Sequence, residues 1–308
     1  MMKRTAAILL VLVMAVGLCA CSNAGGNSGK ADTGAAEGSA IDIGYRFVIP
    51  EEYADRLIVK TDEEGLLVSV YEKESVEAAQ AMDKDNSDGA GWLFALDTVS
   101  AEELHRMLCH DMSGADVFAE DTEGRYYVYY HPTDVRIVRA ENAYGGEAFA
   151  QWSELNEWAA SVQSSFVAEN EGLTAVSYDN SEIAIELARA AYLEGTKYEI
   201  RTLEYGAAGA LDPAGVDAAP FAEQLIRNAE YSYVEQDETP DGEYIVLYFP
   251  EEDARLDFFL ADGNYVRRTN NEGNGIQLFR ATLADGEASA GDIMHAWADA
   301  LVEANGLK

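Results

Sequence analysis

The chain has 308 residues, of which 56 are Asp or Glu and 21 are Lys or Arg, giving a formal charge of −35. So large an acidic excess argues against nucleic-acid binding, which depends on clustered Lys and Arg at phosphates. An apolar fraction of 48% is ample for packed cores and excludes a disordered chain.

Lys3 and Arg4 open the chain, and Thr5–Leu18 follows as an almost unbroken apolar run. That run is shorter than the roughly 20 residues of a membrane-spanning helix and suits the core of an export signal. It ends in Leu18-Cys19-Ala20-Cys21, which resembles the bacterial lipobox. The resemblance implies cleavage after residues 1–20 and a thioether-linked diacylglycerol on Cys21. Cys19 is the poorer acceptor, because bulky Leu18 precedes it. Two or three acyl chains hold firmly where one holds marginally, at about 0.8 kcal/mol per buried methylene. The expected location is therefore the cell membrane, lipid-anchored on the extracytoplasmic side.

Of the 19 residues Ser22–Ala40, 13 are Gly, Ala or Ser and none is large and apolar. Residues 21–40 thus read as a lipidated flexible tether with a reach of about 25 Å. Losing Lys3 and Arg4 with the signal lowers the charge from −35 to −37, which keeps the body off an anionic bilayer. With Cys19 removed and Cys21 acylated, Cys109 is alone and no intramolecular disulfide can form.

The remaining length suits two domains, 41–170 and 173–308, separable near Glu169–Thr174. In the first, Tyr45–Ile49 alternates like a strand and stops at Pro50. Arg56–Thr61 and Leu66–Tyr71 flank a turn at Asp62-Glu63-Glu64-Gly65. Lys73–Met82 reads as a helix, Trp92–Val99 as a strand, and Ser100 with Glu103 as a capping box on a short helix. Val117–Glu120 and Arg125–His131 form a second hairpin. Phe149, Trp152, Leu155, Ala159, Val162 and Phe166 recur at helical spacing over a long amphipathic helix. Trp92–Leu96 and Tyr126–Tyr130 are apolar on both faces, so their sheet needs cover on both sides. Tyr126 and Tyr130 are expected in the core, with at most Tyr127 or Tyr129 reaching solvent.

In the second domain Ser181 caps a helix over 182–193, and Tyr198–Tyr205 is a strand. Phe221, Leu225, Ile226 and Ala229 share one helical stripe. A meander follows through 231–235, 243–249, 255–261, 265–269 and 276–283, with Asp241-Gly242 and Asp262-Gly263 as turns. Ile293, Trp297 and Leu301 mark a closing helix that stops at Gly306. The fold class is α+β, each domain a mainly antiparallel sheet packed with helices, the first an α/β/α sandwich.

The strand ending Ile49-Pro50, the segment Gly91-Trp92-Leu93-Phe94, and the Tyr-rich strand running into Pro132-Thr133-Asp134-Val135 resemble lipoproteins of uncharacterised function from Clostridia-type bacteria. In element order residues 41–169 are also loosely similar to the PsbP/Mog1-like sandwich. That resemblance implies a protein-binding or assembly module and brings no catalytic residues.

His105 and Cys109 lie four apart on one helical face, with His110 next and His131 further on, but no second Cys or His cluster completes a zinc site. Asp83–Gly89 fails the EF-hand pattern, holding Asp88 and Phe94 at its sixth and twelfth positions, and reads as a solvated turn. The serine-hydrolase, zincin, P-loop and dinucleotide motifs are missing. No catalytic residue, metal or cofactor is therefore expected, Cys21 is the one assigned site, and the ligand-binding residues stay unknown. The leading expectation is a non-catalytic, membrane-tethered binding or scaffold module with a protein or envelope partner. The alternatives are an envelope-acting hydrolase using unmarked carboxylates and an assembly factor for a single protein.

Overall fold

The computed structural model describes residues 38–63, 66–82, 89–139, 145–202, 210–270, 275–283 and 288–307. The export signal, Cys21 and most of the tether lie outside them, as do most of Asp83–Gly89 and part of the turn at Asp62–Gly65. Gly38–Ala40, read as tether, instead open strand β1 (Gly38–Asp42), which pairs with β2 (Arg46–Pro50) in a two-stranded ribbon. Backbone pairing there needs no large side chain, which is why composition alone missed it.

The first half builds a six-stranded antiparallel sheet in the order β3-β4-β5-β7-β6-β8. Its strands are β3 (Leu57–Glu63), β4 (Leu66–Glu72), β5 (Trp92–Val99), β6 (Ala115–Asp121), β7 (Tyr126–Tyr130) and β8 (Leu173–Ala175). The break placed at Leu173 moves, because Leu173–Ala175 pairs with Ala119–Asp121 and closes the first sheet. Helix α1 (Glu51–Ala54) is one turn, and α2 (Lys73–Met82) joins β4 to β5.

Both faces of this sheet are covered, as its doubly apolar strands require. On one face α4 (Gly146–Glu169) lays Trp152, Leu155, Ala159, Val162 and Phe166 over Phe94, Tyr127 and Tyr129. Phe47 and Ile49 of β2 complete this layer. On the other face α3 (Ala101–Leu108) brings Leu104 and Leu108 onto Val99, Val117 and Val128.

The expected assignment of the tyrosines is reversed. Tyr127 and Tyr129 are buried, whereas Tyr126 and Tyr130 are half-buried. The 24 residues of α4 run past the whole strand, while the eight of α3 leave its two ends partly open. The buried phenols are satisfied: Tyr129 donates to the Ala159 carbonyl at 3.0 Å and Tyr127 to Asp121 at 3.3 Å.

The second half forms a seven-stranded antiparallel sheet in the order β10-β9-β12-β13-β14-β15-β11. It comprises β9 (Glu199–Thr202), β10 (Ala210–Leu211), β11 (Glu230–Val234), β12 (Tyr244–Phe249), β13 (Ala254–Phe259), β14 (Tyr265–Asn270) and β15 (Gly275–Thr282). The meander holds from β12 to β15. Its expected first strand does not join there, since β11 pairs with β15 (Tyr233 opposite Phe279) and not with β12. Nine residues separate β11 from β12 and include a 3-10 turn at Gln236–Glu238, so Asp241-Gly242 closes no hairpin.

Helices α5 (Glu182–Tyr192), α6 (Ala219–Ile226) and α7 (Ala290–Ala304) cover one face of this sheet. Trp297 of α7 is fully buried and stacks on Phe221 with ring centroids 5.7 Å apart. Ser289 and Asp292 form the capping box of α7. That Ser-x-x-Asp signal was readable; at Ser100 the hydroxyl accepts from the Glu103 N–H at 3.2 Å.

The fold is thus α+β with antiparallel sheets, one large sheet per half and the β1–β2 ribbon beside the first. Residues 37–308 nevertheless form one compact unit. Leu104 and Leu108 of α3 belong to the same continuous core as Ile183 and Leu187 of α5 and the inner face of the second sheet. Polar contacts reinforce the join: Arg227 pairs with Glu120, and the Met112 N–H donates to Asn180 at 2.9 Å.

Candidate functional site

The residues singled out for metal chemistry lie at this join. Cys109 follows α3 directly, is 3% exposed, and donates its thiol to the His105 carbonyl at 3.1 Å. Burial pushes its pKa up, and Arg189 only partly opposes the shift. The His105 ring lies flat on Tyr192 of α5, 3.9 Å between centroids. His105 and Cys109 therefore serve the α3–α5 contact. His110 is exposed beside them, and His131 stands 3.5 Å from Asp116 elsewhere on the first sheet. Among the described residues no three His, Cys, Asp or Glu side chains are grouped to hold a metal ion.

The end of α3, the loop after it, the end of β7 and the end of α5 enclose an open groove of about 640 Å³. Its apolar lining comes from Met107, Met112, Tyr130, Tyr192 and Leu193, the last 39% exposed. Glu103, Arg106, His110 and Asp111 supply its charged and titratable groups. Asp111 is engaged locally, whereas Glu103 is half exposed. Glu103 lies 3.9 Å from Arg106, and Asp111 accepts from the Ser113 hydroxyl and N–H at 2.6 and 2.8 Å. Those bonds, the hydroxyl's first, hold Asp111 below the usual carboxylate range.

Both phenols remain protonated at neutral pH. Burial and then the Asp97 and Glu103 charges raise the pKa of Tyr130; burial and then Glu223, which accepts from the Tyr192 hydroxyl at 3.0 Å, raise that of Tyr192. Glu223 is shared, taking the Tyr178 hydroxyl at 2.7 Å as well.

The most deeply buried carboxylates outside the groove are neutralised by arginine. Glu72 is bound by Arg139, Glu186 by Arg268, and Asp257 by Arg255 and Arg267. Burial raises the pKa of Glu186 against the pull of Arg268. None of these acids lines the groove.

No protein-family model, curated protein or solved structure matches the chain.

Sequence reasoning reached Cys109, His110 and Tyr130 but missed Met107, Met112, Tyr192 and Leu193 as a set. They come from two separate segments, and only the packing of α3 on α5 brings them together.

Cys109 provides a direct check on that packing. The native protein is expected to resist alkylation by iodoacetamide at pH 8 and to react within minutes in denaturant. Rapid labelling of the folded chain would mean that the α3–α5 contact opens readily.

Proposed function

We propose that the protein is an extracytoplasmic lipoprotein, tethered through an acylated Cys21, whose folded part is a non-catalytic binding module. The supporting observation is the groove at the α3–α5 join, with its methionine-bearing apolar lining. Polarisable, flexible methionines and amphipathic tyrosines suit the capture of an apolar surface or side chain. A glycoside hydrolase would instead need two opposed carboxylates free to reach a substrate. In this reading the lipid on Cys21 is the anchor, and among the described residues no helix is long and apolar enough to cross a membrane.

Two measurements test the two parts. Cys21→Ser is expected to leave the membrane pellet after a carbonate wash while keeping its circular dichroism spectrum. Its retention there would reject the anchor. Cross-linked capture from intact envelopes is expected to fall at least fivefold when Leu193→Lys places a charge in the groove. Equal capture by both forms would reject the groove.

A further inference from the structure

After β8 the chain leaves the first sheet. The Val176 N–H still donates to the Phe118 carbonyl at 3.1 Å, but Ser177 turns aside. Its N–H donates to Asn228 Oδ1 at 2.8 Å, its carbonyl accepts the Asn228 N–H at 2.7 Å, and Tyr178 bridges to Arg227. β6, however, begins at Ala115 and meets β8 only at Ala119–Asp121. Ala115–Val117 therefore has β7 on one side and, among the described residues, no strand on the other. Beside this edge runs a groove of about 520 Å³, bounded by Gln163, Ser164 and Val167 of α4 and by Val176.

We propose that this groove takes an extended, basic peptide segment of a partner protein, added as a strand along β6 in line with β8. A sheet edge presents unpaired N–H and C=O groups, and an added strand satisfies them while side-chain pockets select its sequence. Natural edges are blunted with lysine or proline. β3 carries Lys60 at its centre, set over the Tyr71 ring at 4.8 Å, whereas Ala115–Phe118 holds neither residue. The Ala115 N–H already donates to the Met112 carbonyl at 2.8 Å, so the edge offers the Ala115 C=O and the Val117 N–H and C=O. At about 3.3 Å per residue it accommodates about three guest residues.

Charge selects the guest. No Lys or Arg lines the groove, and its one carboxylate, Asp116, is half exposed (52%). Asp116 accepts from Gln163 at 3.1 Å and lies 3.5 Å from the His131 ring, so it is held at the edge. A Lys or Arg of the guest meets Asp116 within a chain of formal charge −35, and an apolar neighbour meets Val117, Val167 and Val176. This site is separate from the groove at the α3–α5 join.

The test uses the soluble Cys21→Ser chain and a display library of random ten-residue peptides. Ser164→Trp serves as counter-selection, because Ser164 is exposed on α4 and the indole fills the groove. Selected peptides are expected to carry Lys or Arg, to bind Ser164→Trp at least tenfold more weakly, and to slow hydrogen exchange of the Val117 amide, which faces away from β7, at least tenfold. Gln163→Arg, which replaces the half-buried amide beside Asp116 with a charge like the guest's, is expected to weaken them by a similar factor, and N-methylation of alternate peptide amides is expected to abolish binding. Failure to select any peptide that discriminates the variants overturns the proposal. So does undiminished binding of the methylated forms, which excludes strand addition, or selection of acidic peptides, which excludes the charge match.

Discussion

Tyr127→Ala is expected to unfold the protein or nearly so. The ring is fully buried at the centre of the six-stranded sheet, in edge or tilted contact with Tyr45, Phe118 and Phe166. Removing a buried aromatic ring costs about 3–5 kcal/mol, against a total stability of about 5–15 kcal/mol for an ordinary protein. Tyr127→Phe keeps the packing and loses one hydrogen bond, so a cost of about 1 kcal/mol is expected. Tyr126→Ala, at a half-buried end of the same strand, is expected to cost clearly less than Tyr127→Ala. Denaturant titrations followed by circular dichroism would rank the three. A larger loss from Tyr126 than from Tyr127 would show that the α3 side, not the α4 side, is the dominant core.

Glu72→Ala is expected to be comparably damaging for a different reason. Arg139 and Glu72 are 1% and 3% exposed and form a two-pronged pair at 2.7 and 2.8 Å. Ser75 donates its hydroxyl to the same carboxylate and accepts the Val138 N–H at 2.9 Å. The cluster thereby clamps the segment before residue 140 onto β4 and α2. Beside it Gly91, at φ +70°, receives the Glu72 N–H and donates to the Arg136 carbonyl at 2.8 Å. Removing Glu72 leaves the buried Arg139 without its two-pronged partner, its Nε still 3.3 Å from the exposed Glu74 carboxylate. Breaking such a buried pair costs about 3–5 kcal/mol. Replacing both with apolar residues, Glu72→Leu with Arg139→Met, is expected to recover most of that loss, because neither charge then has to be desolvated. A double variant no better than Glu72→Ala in its denaturation midpoint would assign the damage to lost shape complementarity.

Much of this architecture was legible because its signals are local. The stripe from Trp152 to Phe166 is the buried face of α4, although Phe149, expected to share it, stands 47% exposed in the first turn. The alternating runs from Glu243 to Leu283 are strands β12–β15, since periodicity records which side of an element is buried. Which neighbour does the burying is not local. Leu104 and Leu108 read as any amphipathic stripe, and nothing in α3 announces that α5 shares it. That is why the chain divided more cleanly on paper than in space. The strand Tyr126–Tyr130 carries no polar face, so its alternation could not say which tyrosines meet the longer helix. β11 offers the same lesson at longer range, because its partner β15 lies some 45 residues downstream and only sheet closure selects it. The candidate groove was the least legible part, since methionine, tyrosine and leucine are ordinary core residues until folding leaves them at an opening.

The continuous core through α3 also has a practical use. Two separately melting bodies would each report only on their own ligands. Here Leu104 and Leu108 tie both sheets into one packed body, so a ligand held by either groove draws on the free energy of the whole. At a hundredfold excess over its dissociation constant, a ligand that binds only the folded state adds about 2.7 kcal/mol. That amounts to a rise of several degrees in a single melting curve. A dye-based thermal scan of envelope fractions, without labels or an assay for activity, can therefore search for ligands of both grooves at once, and repeating it with Leu193→Lys and Ser164→Trp would say which groove each hit occupies.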